Sequence, residues 1–183
     1  MRKFSINSFN ITEAINELML ESGVIVIENA YNLNDIKEAR EIVNHFADTQ
    51  EQKETHFNAE AEASDKIKLQ QRIWNLFGKG EVFSKLITND IIFSLMSKLL
   101  GSEFFCGSYC ASRLLPGSIG QELHIDYPYW DFYKSETFPM GLNSSFAQNC
   151  QATIPLDICS EQSGATAYTV SYTHLTLPTK NEV

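Results

Sequence analysis

The sequence lacks the hallmarks of membrane and nucleic-acid-binding proteins. No stretch approaches the roughly 20 apolar residues that cross a bilayer, and the start, MRKFSINSFNITEAINEL, lacks the continuous apolar run of a signal peptide. Lysine and arginine number 14 against 23 acidic residues, which gives a net charge of −9. Because phosphate binding needs a basic face, this balance argues against nucleic acid as a partner. We expect a soluble, cytoplasmic protein with no membrane partner.

Cysteine is also scarce, and its spacing disfavours a cysteine-based metal site. The four cysteines form no CxxC pair. A chain of 183 residues can bury a full core without disulfide support. Cys106 and Cys110 lie in an apolar segment, so we expect buried thiols in a reducing compartment.

The N-terminal pattern predicts helix, strand and helix in that order. Residues 13–21 have apolar side chains at helical spacing, with Thr12 as the predicted N-cap and Gly23 as the stop signal. The β-branched run over residues 24–27 predicts a buried strand. Asn32 is the predicted N-cap of a second amphipathic helix.

The later pattern predicts helices first and short strands afterwards. Helical spacing covers residues 82–86 and 91–100 and ends at Gly101. Strand-like composition follows over residues 104–115, 123–129 and 151–158, with turn signals at 116–117 and 161–164. This order predicts an α+β fold with a β-sandwich or jelly-roll core.

His124 and Asp126 are the strongest candidates for chemistry. In a strand, residues two apart project from the same face, so the imidazole and the carboxylate would lie side by side. With a second histidine from a distant strand, they form the facial triad that binds Fe(II) in non-haem oxygenases. On spacing alone, an exposed histidine beside a loop aspartate is the more common explanation of such a pair.

The surrounding segments make the comparison more specific, because the chain resembles the phytanoyl-CoA dioxygenase family over residues 15–169. The segments that carry the resemblance are GVIVIEN (23–29), RIWNL (72–76), LLG (99–101), LLPGS (114–118), HIDYP (124–128), IPLD (154–157) and SGAT (163–166). They occur in the order and with the spacing of that family.

The resemblance implies a double-stranded β-helix (jelly-roll or cupin-like) core with N-terminal helices. It also implies a dioxygenase that uses Fe(II), 2-oxoglutarate and O2 to hydroxylate a small-molecule substrate. By the same resemblance, His124 and Asp126 hold the iron, while Arg72 and Thr153 are candidate contacts of 2-oxoglutarate.

The chain also departs from the family pattern. The family's third ligand, a histidine after the GAT turn, and the arginine that follows it have no counterpart that we can identify. His174 lies in VSYTHLTLPTKNEV (170–183), which resembles a translated adapter sequence, so we do not assign it as a ligand. We therefore expect residues 1–169 to be a partial oxygenase domain, residues 170–183 to be a non-native tail, and the chain to be a fragment with weak activity.

Two other functions remain open at this point. The first is a non-catalytic jelly-roll or cupin-like protein that binds a small molecule without iron. The second is a metal-dependent hydrolase or isomerase on a cupin barrel, which normally needs more histidines than the four in this sequence. Substrate identity and oligomeric state are not predicted.

Overall fold

The computed structural model describes residues 1–51, 66, 69–121, 124 and 147–168. The helices of this part are α1 (Ile11–Leu20), α2 (Leu33–Thr49), α3 (Glu81–Ile87) and α4 (Asp90–Leu100). The strands are β1 (Arg2–Ser5), β2 (Ile25–Glu28), β3 (Gln70–Ile73) and β4 (Ala111–Leu114). The fold is α+β, as predicted, and the described strands form two sheets of two strands each.

Asparagine side chains cap three of the helices. The Asn32 carboxamide accepts a hydrogen bond from the Asn34 backbone N–H, which confirms the predicted start of α2. The predicted cap of α1 was wrong by two residues. Asn10, rather than Thr12, accepts from the backbone N–H groups of Thr12 and Glu13 at 3.0 and 3.2 Å.

The N-terminal sheet and two helices share a small core. β1 and β2 pair in parallel, with Phe4 opposite Ile27, and α1 is the crossover between them. Phe4, Ala14 and Leu95 are buried in this core, so α4 packs against the same unit. The sequence did not predict β1, because only one of its four residues is buried.

The second sheet packs against α2. β3 and β4 are antiparallel, with Arg72 opposite Ser112 and Ile73 opposite Ala111. The larger core lies between this sheet, α2 and α3. Its buried residues are Ala39, Val43, Ala47, Ile73, Leu76, Val82, Phe83 and Leu86. The three from α2 recur at every fourth position, as the helical spacing predicted.

Two of the predicted strands were wrong, one in its extent and one altogether. Within the fully described segment 104–115, only Ala111–Leu114 forms a strand. Its partner β3 ends at Ile73, because Asn75 has a left-handed backbone with φ of 55° and a 3-10 turn begins at Leu76. Residues 151–158, also fully described, form no strand.

The prediction of buried thiols was wrong for Cys106. That cysteine is exposed, and Cys110 is half-buried. Cys106 belongs to the stretch that does not pair with β3, so neither of the two described sheets covers its side chain. Among the helices of the described residues, none has the length and apolar character needed to cross a membrane.

Candidate functional site

A tight turn ends the second sheet and leads to the HxD motif. The Leu115 backbone N–H donates to the Leu69 carbonyl at 2.8 Å, which extends the β3–β4 pairing by one residue on each strand. The Ser118 N–H then donates to the Leu115 carbonyl at 3.0 Å, and Gly117 has a φ of 86°. Proline at the second position and a positive-φ glycine at the third define a type II turn. The predicted turn is therefore confirmed.

His124 follows this turn and is exposed. Asp126 lies outside the described residues, as does most of the strand predicted over 123–129, so their shared face stays a prediction. The donor types themselves, one imidazole and one carboxylate, suit Fe(II). Among the described residues, no group of three or more His, Cys, Asp or Glu side chains is placed to hold a metal ion.

The SGAT turn lies against the strand that precedes the HxD motif. Residues 161–163 form a 3-10 turn that Ser160 and Ser163 cap reciprocally, and Gly164 adopts a φ of 76°. A Cβ on Gly164 would lie 2.9 Å from Cδ1 of Leu114. The predicted turn is confirmed, and two of the segments that carry the family resemblance are in contact.

Arg72 lies near the middle of β3, beside a surface cleft. Its guanidinium carbon lies 5.6 Å from the ring centroid of Trp74, and one terminal nitrogen donates to the Cys110 sulfur at 3.8 Å. The cleft has a volume of about 410 Å³ and is lined by Gln50, Glu51, Arg72, Trp74 and Lys79. Trp74 lies in the same RIWNL segment as Arg72, whereas the other three lining residues belong to no segment singled out from the sequence.

Thr153, the other candidate cosubstrate contact, is exposed. The chain around it is anchored by its neighbours, since Ile154 and Leu156 pack against the larger core. Asp157 adds an ion pair with Arg40 on α2, at 2.8 Å. Thr153 therefore lies on a segment held in place against α2, and its contact with 2-oxoglutarate stays a prediction.

The sequence also did not reveal a polar network centred on Arg113. This β4 side chain donates to Gln71 of β3 at 2.7 Å, and to Asn44 and Asp48 of α2 at 3.2 and 2.5 Å. The hydrogen bond from Arg113 lowers the pKa of the Asp48 carboxyl. The network joins the sheet that carries Arg72 to the helix beside it.

Tyr109 fixes the chain just before β4. Its hydroxyl donates to the Phe83 carbonyl at 3.1 Å, and its own carbonyl accepts from the Leu76 N–H at 3.3 Å. Burial raises the pKa of Tyr109 to about 12, with smaller contributions from Tyr31 and Cys106. Tyr109 therefore stays protonated as a hydrogen-bond donor at neutral pH.

Comparison with known proteins does not assign the chain to a family. No protein-family model matches the chain, and no curated protein is significantly similar to it.

Proposed function

We propose that this chain is part of an Fe(II)- and 2-oxoglutarate-dependent dioxygenase that hydroxylates a small molecule. The observation that carries the proposal is the HxD motif, together with flanking segments in the order of the phytanoyl-CoA dioxygenase family. The contact between Gly164 and Leu114 supports it, because two of those segments meet as they would around one site. We assign residues 1–169 to the oxygenase domain and residues 170–183 to a non-native tail.

In this proposal the second sheet is the first part of a double-stranded β-helix. The type II turn after β4 would direct the next strand back along the sheet. That strand would carry His124 and Asp126 on one face, two residues apart. The N-terminal sheet and helices would flank this core.

His124 and Asp126 would hold the iron through one imidazole nitrogen and one carboxylate oxygen. When bound, Fe(II) and 2-oxoglutarate supply the oxidising chemistry with O2, and the protein supplies position and a shielded pocket. The carboxylate of Asp126 would occupy a coordination position that could otherwise admit a halide, so hydroxylation is the expected reaction.

Arg72 and Thr153 are the proposed contacts of 2-oxoglutarate. A guanidinium can hold a carboxylate through two parallel hydrogen bonds, and a threonine hydroxyl can add a third. The stacking of Arg72 on Trp74 limits its rotamers and would reduce the entropy lost on binding.

Iron binding tests the proposal most directly. We expect the full chain to bind Fe(II) weakly under anaerobic titration, because two ligands are assigned, and to produce little succinate from 2-oxoglutarate. Each of His124→Ala and Asp126→Ala should weaken iron binding at least tenfold, or about 1.4 kcal/mol. His45→Ala, which removes an exposed histidine on α2, is the matched control and should leave it unchanged.

Iron affinity that is the same in all three variants would contradict the proposed ligands. Robust succinate production by the chain would instead contradict the assignment of a partial domain. Small-molecule binding by a chain that has no measurable affinity for iron would favour the non-catalytic jelly-roll or cupin-like protein.

A further inference from the structure

The cleft beside β3 is lined by side chains of both charge signs. Arg72 and Lys79 contribute two cations, and Glu51 contributes a carboxylate. Glu51 follows the C-terminus of α2, which ends at Thr49 and is capped by the Gln50 N–H donating to Phe46. A helix C-terminus carries partial negative charge, so this wall of the cleft favours a cation.

The charges of Lys79 and Glu51 are available to a ligand. In the part of the chain that the structure describes, neither side chain forms an ion pair. The Lys79 ammonium lies 4.0 Å from the ring centroid of Phe46, which holds it in place without neutralising it. The guanidinium carbon of Arg72 lies 5.6 Å from the ring centroid of Trp74.

The cleft also offers an apolar surface. Trp74 is 46% exposed, so part of its ring remains open to a ligand while Arg72 stacks on it. Small-molecule sites combine such apolar walls with a few polar groups that fix orientation, in volumes of about 300–1,000 Å³. The cleft of about 410 Å³ lies in the lower part of that range.

From these features we propose that the cleft binds a small zwitterion of the amino-acid type. Its carboxylate would contact Lys79, and its ammonium group would face Glu51 and the C-terminus of α2. Trp74 would cover the carbon chain. A dicarboxylate fits less well, because its second carboxylate would meet Glu51 or the negative end of the helix.

The inference rests on the proposed function in one respect, namely that this zwitterion would be the substrate of the dioxygenase. It leaves Arg72 as the proposed contact of 2-oxoglutarate. Binding itself requires neither iron nor turnover, so it is measured on the metal-free chain. A failure of the zwitterion to bind would not change the result expected of the iron titration. A failure of iron binding would likewise not change the result expected for the zwitterion.

Four-carbon probes test the charge pattern at constant size. Calorimetric titration of the metal-free chain with 2-aminobutyrate, 4-aminobutyrate, butyrate and succinate compares two zwitterions, a monoanion and a dianion. We expect at least one aminobutyrate to bind about tenfold more tightly than butyrate and succinate, since one charge-assisted contact contributes about 1.5–3 kcal/mol. Trp74 emission in a Trp130→Phe background then locates the ligand, because the chain has two tryptophans.

Three variants test which residues supply the charged contacts to the ligand. Lys79→Gln should weaken aminobutyrate binding about tenfold. Glu51→Gln should weaken it to a similar extent and bring succinate closer in affinity. Lys98→Gln removes the same charge from the last turn of α4 and should change nothing.

The proposal is overturned if neither aminobutyrate binds, or if butyrate or succinate binds as tightly as both of them. It is also overturned if Lys79→Gln and Glu51→Gln leave the aminobutyrate affinity at the level of Lys98→Gln. Far-UV circular dichroism of each variant shows whether it is folded, with Lys98→Gln as the reference.

Discussion

At the residue scale, Asp48 makes the free energy of unfolding depend on pH in the acidic range. Its carboxylate accepts a hydrogen bond from Arg113 at 2.5 Å, and this bond lowers the pKa of Asp48 below the value it has when unfolded. A lowered folded-state pKa favours the native state above the unfolded-state pKa of about 3.9. The contribution is lost as the pH falls through the folded-state value.

We therefore expect the urea midpoint of the wild type to fall more steeply between pH 5 and pH 2 than that of Asp48→Asn. Equilibrium unfolding at several pH values measures this. Arg113→Met retains the carboxylate but removes its partner, so it should show the same shallower dependence. Because Asp48 is exposed, 1 M salt should reduce the difference. Parallel curves for wild type and Asp48→Asn would contradict the role given to this pair.

At the element scale, the start of α1 distinguishes two neighbouring polar residues. Asn10 caps the helix through two backbone N–H groups, whereas Thr12 is an exposed residue of its first turn. We expect Asn10→Ala to lower the free energy of unfolding by about 1 kcal/mol. Thr12→Ala should change it by less than about 0.5 kcal/mol, as is typical of exposed positions. Chemical denaturation compares the two, and a larger effect at Thr12 would mean that the helix begins later.

The elements also differ in how far their sequences specify them. The three buried residues of α2 recur at every fourth position, and the helix is correctly predicted. β3 reads QQRI, with Ile73 as its one buried residue, so its own sequence carries no strand pattern. Its conformation depends on β4, about forty residues further along the chain, and on Arg113, which joins both strands to α2.

At the scale of the whole molecule, the larger core decides stability. Phe83 is 1% exposed, and its ring meets that of Tyr109 edge-on at 6.2 Å. We expect Phe83→Ala to cost about 3–5 kcal/mol, the range for removing a buried aromatic side chain. Phe105, which is 79% exposed, is the matched control, and its replacement by alanine should cost under about 0.5 kcal/mol.

Thermal and urea denaturation give both values. If Phe83→Ala unfolds the chain completely, Phe83→Leu preserves most of the apolar volume and should retain a measurable transition. Equal losses for Phe83→Ala and Phe105→Ala would contradict the assignment of the core.

The candidate site likewise has some features that the sequence predicted and others that it did not. The HxD pair and the two turns that flank β4 could be identified from the sequence, because ligand spacing and turn chemistry depend on neighbouring residues. The cleft could not, since Arg72 lies in the RIWNL segment but Lys79 and Glu51 belong to no motif. The network around Arg113 was hidden for the same reason.

The sequence by itself determined the helices, their approximate ends, the turns at Gly117 and Gly164, and the pair of candidate iron ligands. Each depends on interactions between residues a few positions apart, which a linear pattern records. Only the tertiary structure decided that β3 is a strand, that residues 104–110 and 151–158 are not, and that two cations and a carboxylate line one cleft. Those outcomes depend on partners far along the chain, because a short polar segment is stabilised by what packs or pairs with it.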